Sequence, residues 1–190
     1  MARPREFDTD EALQDAMNVF WEKGYEGASL PDLLEGMGIT RGSLYKAYTD
    51  KKNLFLQALS NYDRDVLEPA ILLLRTRRGD VTPPPIQQIF ASVLVDARRG
   101  DRRGCLICNA AAGSAAEDEE IGRIVAAMLK RLKNAFVFAL KEESGESTIR
   151  DADVARRAQV LTTTYVGLRV LLRSGAPVKD LENTIAGLFD

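Results

Sequence analysis

Apolar side chains recur every three to four residues along most of the chain, and long alternating runs of valine, isoleucine and threonine are missing. This spacing places the apolar positions on one face of successive α-helices. Late in the chain these positions follow one another at spacings of four, three, four, three and four residues: Val154, Ala158, Leu161, Tyr165, Leu168 and Leu172. The pattern predicts an all-α fold whose later helices pack side by side as in a bundle.

The N-terminal third contains four short helix patterns with recognisable starts. A residue that can cap a helix N-terminus precedes each of them: Asp8, Ser29, Thr40 and Asp50. Gly24 is placed to end the first helix and Gly38 to end the second, because glycine readily adopts the left-handed conformation that helix ends require. The second and third helices, joined by a glycine-containing turn, predict a helix-turn-helix centred on residues 39–48.

The third of these helices has the surface that a DNA-reading helix needs. Leu44 and Tyr48 lie four residues apart and are predicted to face inward. The other side chains are free to face outward: Arg41, Gly42, Ser43, Tyr45 and Lys46. Small residues let a helix approach the bases closely, arginine forms paired hydrogen bonds with guanine, and tyrosine and lysine suit phosphate contacts.

Overall charge gives no indication of a nucleic-acid partner, because the chain carries a formal net charge of −2. Residues 1–52 hold seven basic and ten acidic side chains, but residues 39–52 hold four basic and one acidic. Arg3 and Arg5 add a basic arm ahead of the first helix. Because a local basic surface matters more for DNA binding than the total charge, the distribution supports a DNA-binding helix-turn-helix.

Several classes of protein are disfavoured by what the sequence lacks. The chain has no histidine, the commonest general base and metal ligand, and its two cysteines are too few for a disulfide framework. We therefore predict no catalytic residue, no metal and no cofactor. No stretch approaches the roughly 20 apolar residues of a membrane span, and no signal peptide is recognisable, so we expect a cytoplasmic protein.

Residues 24–34 and 38–48, together with Lys51, resemble the DNA-binding domain of the TetR/AcrR family of transcriptional regulators. The shared order is Gly-Tyr, Ser, Asp, Gly-Ile, Gly-Ser-Leu-Tyr, a second tyrosine and then lysine. The chain departs from the family at Leu34, where a small alanine is usual, and at Ala47, where a phosphate-contacting histidine or tyrosine is common. The resemblance implies this DNA-binding set: Arg3, Arg5, Ser29, Thr40, Arg41, Gly42, Ser43, Tyr45, Lys46, Tyr48 and Lys51.

The resemblance also implies an architecture and a function. A DNA-binding domain, residues 1–52, precedes a ligand-binding and dimerisation domain, residues 53–190. A homodimer is expected to bind palindromic double-stranded DNA as a repressor, and an unidentified small-molecule effector to release it. In this family the last two helices form the dimer interface, which assigns to it Val154, Leu161, Tyr165, Leu168, Leu172, Leu181, Ile185 and Leu188. Tyr62, Phe136 and Tyr165 are candidates for an effector pocket.

A short stretch, Gly104–Asn109, resembles one found in part of the same family, where Gly-Cys-Leu is followed two residues later by Asn. Its Cys105 and Cys108 lack the additional ligands of a zinc site and the βαβ setting of a thioredoxin-like motif. Two interpretations stay open. The cysteines are small core residues, or Cys105, close to Arg102 and Arg103, is the thiol of a redox- or electrophile-sensing repressor, with Cys108 and Asn109 beside it.

The turn before this stretch, residues 99–104, contains three arginines. Such a cluster fits a phosphate site or a solvated surface turn, and the solvated turn is the simpler interpretation. A remote alternative for the whole chain is a helical binding module or enzyme without DNA binding. The missing histidine and the lack of a paired-carboxylate constellation disfavour catalysis, and the intact surface from Thr40 to Lys46 disfavours a loss of DNA binding.

Overall fold

The computed structural model describes residues 8–77, 79–144 and 150–189, which form ten α-helices with no β-strand among them. The helices are α1 (Thr9–Gly27), α2 (Leu30–Met37), α3 (Arg41–Tyr48), α4 (Lys51–Tyr62), α5 (Glu68–Leu74), α6 (Pro85–Arg98), α7 (Leu106–Ala112), α8 (Glu119–Ser144), α9 (Asp151–Arg173) and α10 (Val178–Phe189). A π-helical turn, Asp63–Leu67, joins α4 to α5, and a 3-10 turn, Ser114–Glu117, precedes α8. The predicted all-α fold is confirmed. Within the described residues, no helix is long and apolar enough to cross a membrane.

The four N-terminal helices begin where the sequence predicts. A side-chain oxygen of each predicted cap accepts a hydrogen bond from a backbone N–H in the helix that follows: Asp8, Ser29, Thr40 and Asp50. Gly24, with a φ of 76°, interrupts α1 as expected, although one further turn continues to Gly27. Gly38, with a φ of 62°, ends α2. These caps satisfy backbone groups that helix ends leave free, so local sequence alone sets the helix boundaries here.

Helices α1, α2 and α4 pack closely together. The rings of Phe20 on α1 and Phe55 on α4 meet edge to face, with centroids 4.9 Å apart. The centroid of the Tyr25 ring lies 4.8 Å from that of Phe55. Gly36 on α2 lies against Val19 on α1, where an added Cβ would stand 2.5 Å from Val19 Cγ2. Gly36 therefore permits a close helix approach, a role that the helix pattern alone does not show.

Helix α4 connects the N-terminal helices, α1 to α3, to the C-terminal half of the molecule, α5 to α10. It packs along α1 and also contacts α7. Lys52, near its start, forms ion pairs with Asp118 (2.8 Å) and Glu120 (3.0 Å) at the beginning of α8. The domain boundary after residue 52 stays a prediction, since α4 runs without a break from Lys51 to Tyr62.

The C-terminal half is a bundle in which α8 packs along α9 and α6 contacts α10. Phe90 on α6, Phe136 on α8 and Tyr165 on α9 form an aromatic cluster with ring centroids 5.8 to 6.4 Å apart. Phe90 and Phe136 are fully buried. Because burying such a side chain contributes about 1.5–3 kcal/mol, this cluster is a main source of stability for the C-terminal half.

The apolar seam of α9 is part of the core of a single subunit. Five residues that the sequence assigned to the dimer interface are buried against their own chain: Val154, Leu161, Leu168, Leu172 and Leu181. The remaining three are partly buried and pack against the same core: Tyr165, Ile185 and Leu188. A side chain already covered within one subunit has no area left to bury against another. The interface assignment of the five buried residues is therefore wrong.

Candidate nucleic-acid interface

The start of α2 is fixed by a reciprocal pair of hydrogen bonds. The N–H of Asp32 donates to Ser29 Oγ (3.2 Å), and the N–H of Ser29 donates to Asp32 Oδ2 (2.9 Å). Lys23 on α1 donates to Asp32 Oδ1 (2.5 Å). The hydrogen bond from Lys23, followed by those from Ser29, lowers the pKa of Asp32 to about 2. Ser29 is exposed and stays a candidate DNA contact, with its hydroxyl engaged in this cap.

The predicted recognition helix, α3, presents a polar face to solvent. Leu44 is fully buried, whereas Tyr45 is 44% exposed. The other exposed members of the predicted set on this helix and its cap are Thr40, Arg41, Gly42 and Lys46. Ser43 is half-buried, with its hydroxyl 3.0 Å from Thr40 Oγ1. The structure thus gathers these side chains around the first turns of α3, the part that faces base edges when such a helix enters a major groove.

Arg41 and Tyr45, one helical turn apart, form a pair on this face. The guanidinium carbon of Arg41 lies 5.6 Å from the centroid of the Tyr45 ring. A cation–π contact at an exposed site contributes roughly 0.5–1 kcal/mol. The contact restrains two otherwise mobile side chains, and the edge of the guanidinium remains available for paired hydrogen bonds with guanine.

Packing among the described residues does not require glycine at position 42. Of their atoms, a Cβ at this position would meet only Thr40 Oγ1, at the ordinary contact distance of 3.9 Å. The missing side chain leaves the helix surface open at the centre of the exposed face. A close approach of DNA is therefore a better reason for glycine here than the fold is.

Tyr48 is an anchor of α3. The side chain is 4% exposed, and its hydroxyl donates a hydrogen bond to the carbonyl of Thr9 at the start of α1 (3.1 Å). The prediction that Tyr48 faces inward is confirmed. Its inclusion in the DNA-binding set is wrong, because the ring is covered by its own subunit. Together with Leu44 it fixes the orientation of α3 on the helices behind it.

Lys51 and Lys52 stand side by side at the start of α4 but have different surroundings. Lys52 is held by the two carboxylates of α8. Lys51 Nζ lies 4.8 Å from the centroid of the Tyr25 ring, and partial burial lowers its pKa. Among the described residues no carboxylate forms an ion pair with Lys51, so its ammonium group is the one suited to a phosphate. Arg3 and Arg5, the predicted arm, lie outside the described residues.

The C-terminal end of α1 is held by polar side chains from the other half of the molecule. Arg173, the last residue of α9, donates hydrogen bonds to the carbonyls of Trp21 (3.0 Å) and Glu22 (2.9 Å). Asn109 on α7 donates to the carbonyls of Trp21 (3.4 Å) and Arg103 (3.0 Å). The carbonyls of Trp21 and Glu22 stand where α1 is interrupted, so the side chains supply partners that helix ends otherwise lack. We call this region the junction.

Trp21 is the central residue of the junction. The guanidinium carbon of Arg103 lies 4.2 Å from the indole centroid, and the Tyr62 ring meets the indole edge to face at 4.9 Å. Arg103 is oriented by hydrogen bonds that it donates from Nη2 to Asp101 Oδ2 (2.7 Å) and from Nη1 to Asn18 Oδ1 (3.1 Å). The buried indole N–H has no acceptor among the described residues.

The two cysteines are connected to the junction through Tyr62. Both are free and buried, and the Tyr62 hydroxyl donates a hydrogen bond to Cys105 Sγ (3.3 Å). Hydrogen bonding from Cys108, opposed by burial and assisted by Tyr62, lowers the pKa of Cys105 to about 6. The same pairing raises the pKa of Cys108. Cys105 is therefore the more acidic thiol of the pair.

The aromatic residues predicted to line an effector pocket are packing residues. Tyr62 and Phe136 are buried, and Tyr165 is partly buried against them. Two cavities lie at the junction instead. The larger, about 560 Å³, is lined by Glu22, Gly100, Asp101, Arg102, Arg103 and Arg173. The smaller, about 260 Å³, includes two predicted residues, Cys108 and Asn109, and reaches the interrupted end of α1.

Sequence patterns did not identify the junction. Apolar spacing along the first helix indicates only an inward-facing side chain at Trp21, and a basic residue such as Arg173 in the last turn of a helix is ordinary. Their partners lie at the opposite end of the chain, where no local rule applies. The available signal was Gly24: an interruption of α1 leaves carbonyls that need donors from elsewhere.

Comparisons with known proteins agree with this geometry. The family model described as "Bacterial regulatory proteins, tetR family" matches residues 12–58, from α1 into α4. The chain is 32% identical over 188 residues to the HTH-type transcriptional regulator YezE of Bacillus subtilis, covering 97% of this chain and 96% of that protein. It is 29% identical over 184 residues to the HTH-type transcriptional repressor ComR of Escherichia coli, covering 94% and 86%. A cysteine mutant of the TetR family regulator CifR, in complex with 26-base-pair double-strand operator DNA, superimposes with a TM-score of 0.80 at 29% identity, covering 98% and 97%. The chain therefore belongs to the tetR family of bacterial regulatory proteins and is a DNA-binding transcriptional regulator.

Proposed function

We propose that the protein is a homodimeric repressor that binds palindromic double-stranded DNA through α3 of each subunit and is released by a small-molecule effector. The observation that carries this proposal is the exposed polar face of α3 on a helix anchored by Leu44 and Tyr48. The relatives ComR and BdcR are named as repressors, which supports repression over activation. A helix of eight residues reaches few base pairs, so specific binding needs two such helices. The two half-sites they bind lie about 34–36 Å apart, or a multiple of that distance.

The outward face of α9 supports a dimer. Val160, Val170 and Leu171 are 45%, 46% and 46% exposed on a helix whose opposite face is buried in the subunit core. Gly167 lies between them, and a Cβ added there would have no described atom of the subunit within 4 Å. Exposed apolar side chains along one helix mark an interaction surface, and a two-fold contact pairs such a surface with itself. We assign the subunit contact of α9 to this face in place of the buried seam.

The Gly-Cys-Leu-x-x-Asn stretch supports placing the chain in the part of the family that carries it. Gly104 has a φ of 72°, and an added Cβ would stand 2.8 Å from the carbonyl oxygen of Arg169. Cys105 accepts the hydrogen bond from Tyr62, and Asn109 holds the end of α1. Each of these residues thus has a role at the junction. We place the protein in the cytoplasm, where its DNA partner is.

The repressor proposal is tested by fluorescence anisotropy with the DNA immediately upstream of the protein's own gene, with excess competitor DNA and at two salt concentrations. We expect binding that resists the competitor and weakens as salt rises. Tyr45→Ala is expected to weaken binding about tenfold, since one lost contact to DNA costs roughly 1–3 kcal/mol. Phe138→Ala, an exposed position on α8, is the control. If Tyr45→Ala and Phe138→Ala bind DNA with equal affinity, Tyr45 and the α3 face that carries it do not contact the DNA.

A second candidate function, sensing of oxidants or electrophiles, is favoured by one observation. Cys105, the Tyr62 ring and the Trp21 indole form a continuous set of contacts from a buried thiolate to the end of α1. The charge of Arg169, itself paired with Asp96, also favours the thiolate. The helix-turn-helix domain and the reactive sulfur are therefore separated by only two side chains.

The chemistry of this second function is that of an activated thiol. With hydrogen peroxide, the Cys105 thiolate attacks one oxygen, the O–O bond breaks, hydroxide leaves, and the sulfur is oxidised to sulfenic acid. The product no longer carries the negative charge that Tyr62 stabilises, and it adds an oxygen to a fully packed site. Tyr62 and then Trp21 must move, which changes how α1 is held.

The test compares Cys105→Ser with Cys108→Ser, two substitutions of the same size three residues apart. Hydrogen peroxide is expected to release the wild type from DNA, and dithiothreitol to restore binding. Cys105→Ser is expected to stay bound, while Cys108→Ser is still released. If peroxide releases Cys105→Ser as fully as the wild type, the thiol is not the sensor and only the small-molecule effector remains.

A further inference from the structure

The larger cavity at the junction is a groove between the end of α1 and the turn 99–104, with a volume of about 560 Å³. Gly100, with a φ of 76°, leaves one wall open, because no atom of the described part of the chain stands within 4 Å of a Cβ added there. Three guanidinium groups and two carboxylates line it: Arg102, Arg103, Arg173, Asp101 and Glu22. The groove is therefore positive overall.

The three arginines of the groove have different partners. Arg103 binds Asp101 through Nε and Nη2, which neutralises both side chains. Arg102 donates from Nη1 to the carbonyl of Ala176 (2.7 Å), and Arg173 donates to three backbone carbonyls. Neither Arg102 nor Arg173 forms an ion pair with a carboxylate among the described residues. Two cations held in place by neutral carbonyls thus face one groove, and within the described residues neither is paired with a carboxylate.

We propose that this groove is a binding site for a small dianionic oxyanion, a phosphate or a dicarboxylate, that engages Arg102 and Arg173. A guanidinium group binds such oxygens with paired, charge-assisted hydrogen bonds. In the described residues, Arg102 forms one hydrogen bond, through Nη1, which leaves Nε and Nη2 for this purpose. Glu22 competes for the same cations, so a ligand with two negative charges is favoured over one with a single charge.

A ligand in the groove bears directly on the DNA-binding half. Arg173 also holds the carbonyls of Trp21 and Glu22, and Arg103 stacks on Trp21. An anion that draws the guanidinium of Arg173 towards itself competes with these bonds. This consequence for DNA binding rests on the proposed function, whereas the binding site itself does not.

The experiment is isothermal titration calorimetry on the full-length protein without DNA, using inorganic phosphate, succinate, and chloride at matched ionic strength. We expect saturable binding of phosphate or of succinate, with the tighter ligand identifying the class, and none for chloride. Arg102→Gln is expected to weaken binding at least about tenfold, because it removes the paired, charge-assisted hydrogen bonds of Nε and Nη2. Glu22→Gln is expected to strengthen binding, because it removes the competing carboxylate.

Arg99→Gln is the matched control. Arg99 is exposed, three residues before Arg102, and does not line the groove. Its loss removes the same charge from the same turn and is expected to leave the affinity unchanged. The proposal is overturned if neither phosphate nor succinate binds saturably, or if Arg99→Gln weakens binding as much as Arg102→Gln. Because no DNA is present, such a result leaves the repressor proposal standing.

Discussion

The guanidinium of Arg103 lies over the indole of Trp21, 4.2 Å from its centroid, and joins the turn before α7 to the end of α1. Asp101 and Asn18 hold the guanidinium in this position. The contact connects the helix that supports the helix-turn-helix to the half of the molecule that contains the cysteine pair. These side chains thus form a direct contact between the two halves of the molecule.

Arg103→Ala is expected to lower the free energy of unfolding by about 1–2 kcal/mol, because it removes a cation–π contact and two polar contacts of a partly exposed side chain. Urea unfolding measures the change. Arg98→Ala removes an exposed ion pair with Glu182 and is the control, with an expected loss of at most about 1 kcal/mol. Equal losses in the two variants would show that the Trp21 contact contributes no more than a surface ion pair.

Gly36 and Gly42 are expected to respond oppositely to alanine. Gly36→Ala places a Cβ 2.5 Å from Val19 Cγ2 and should destabilise the fold by about 1–3 kcal/mol through overpacking. Gly42→Ala meets open space and should stabilise α3 by up to about 1 kcal/mol through helix propensity. The same Gly42→Ala change should weaken DNA binding, because it fills the exposed face. Thermal unfolding and anisotropy on both variants separate the two roles, and a stable Gly36→Ala protein would contradict the packing argument.

The ionisation of Cys105 gives a pH dependence with a definite sign. The pKa of Cys105 is lowered from an ordinary value of 9.0 to about 6. The thiolate therefore adds stability that is fully present above the ordinary value and is lost as the pH falls through about 6. We expect the ultraviolet absorbance of the thiolate to titrate with a midpoint near 6 in the wild type, and this transition to vanish in Cys105→Ser. A midpoint near the ordinary value would show that the hydrogen bonds from Cys108 and Tyr62 do not outweigh burial.

The two faces of α9 are expected to respond differently to substitution. Val170→Glu places a charge on the exposed face and should shift the protein from dimer to monomer while leaving it folded. Leu172→Ala, on the buried face, should lower the free energy of unfolding by about 2–5 kcal/mol. Sedimentation velocity and circular dichroism measure the two effects. A Val170→Glu protein that remains dimeric would place the subunit contact elsewhere.

The N-terminal helices were predictable because their signals are local. Ser29 and Thr40 cap helices through backbone groups only three residues away, so the sequence specifies those boundaries without reference to the rest of the fold. Leu44 and Tyr48 were likewise placed inside by their spacing. The prediction went wrong when Tyr48 was also assigned to DNA, since one buried side chain does not serve both roles.

The C-terminal half was predictable only in part. The spacing of Leu161 and Leu172 identifies the buried face of α9, but spacing does not reveal whether the same subunit or a second one covers that face. The structure shows that the face is buried within its own subunit, where α8, α6 and α7 pack against α9. The junction was out of reach for a related reason: Trp21 and Arg173 meet through tertiary packing between the two ends of the chain.

The central claim, that two copies of α3 read a two-fold DNA sequence, is tested most directly by selection of the full-length protein against random double-stranded DNA. The account predicts enrichment of a palindrome whose half-sites lie about one helical turn, or a multiple of it, apart. It further predicts that Arg41→Ala relaxes the preference at one symmetric pair of positions. Enrichment of a single half-site without a symmetry mate, or of no sequence at all, would contradict it.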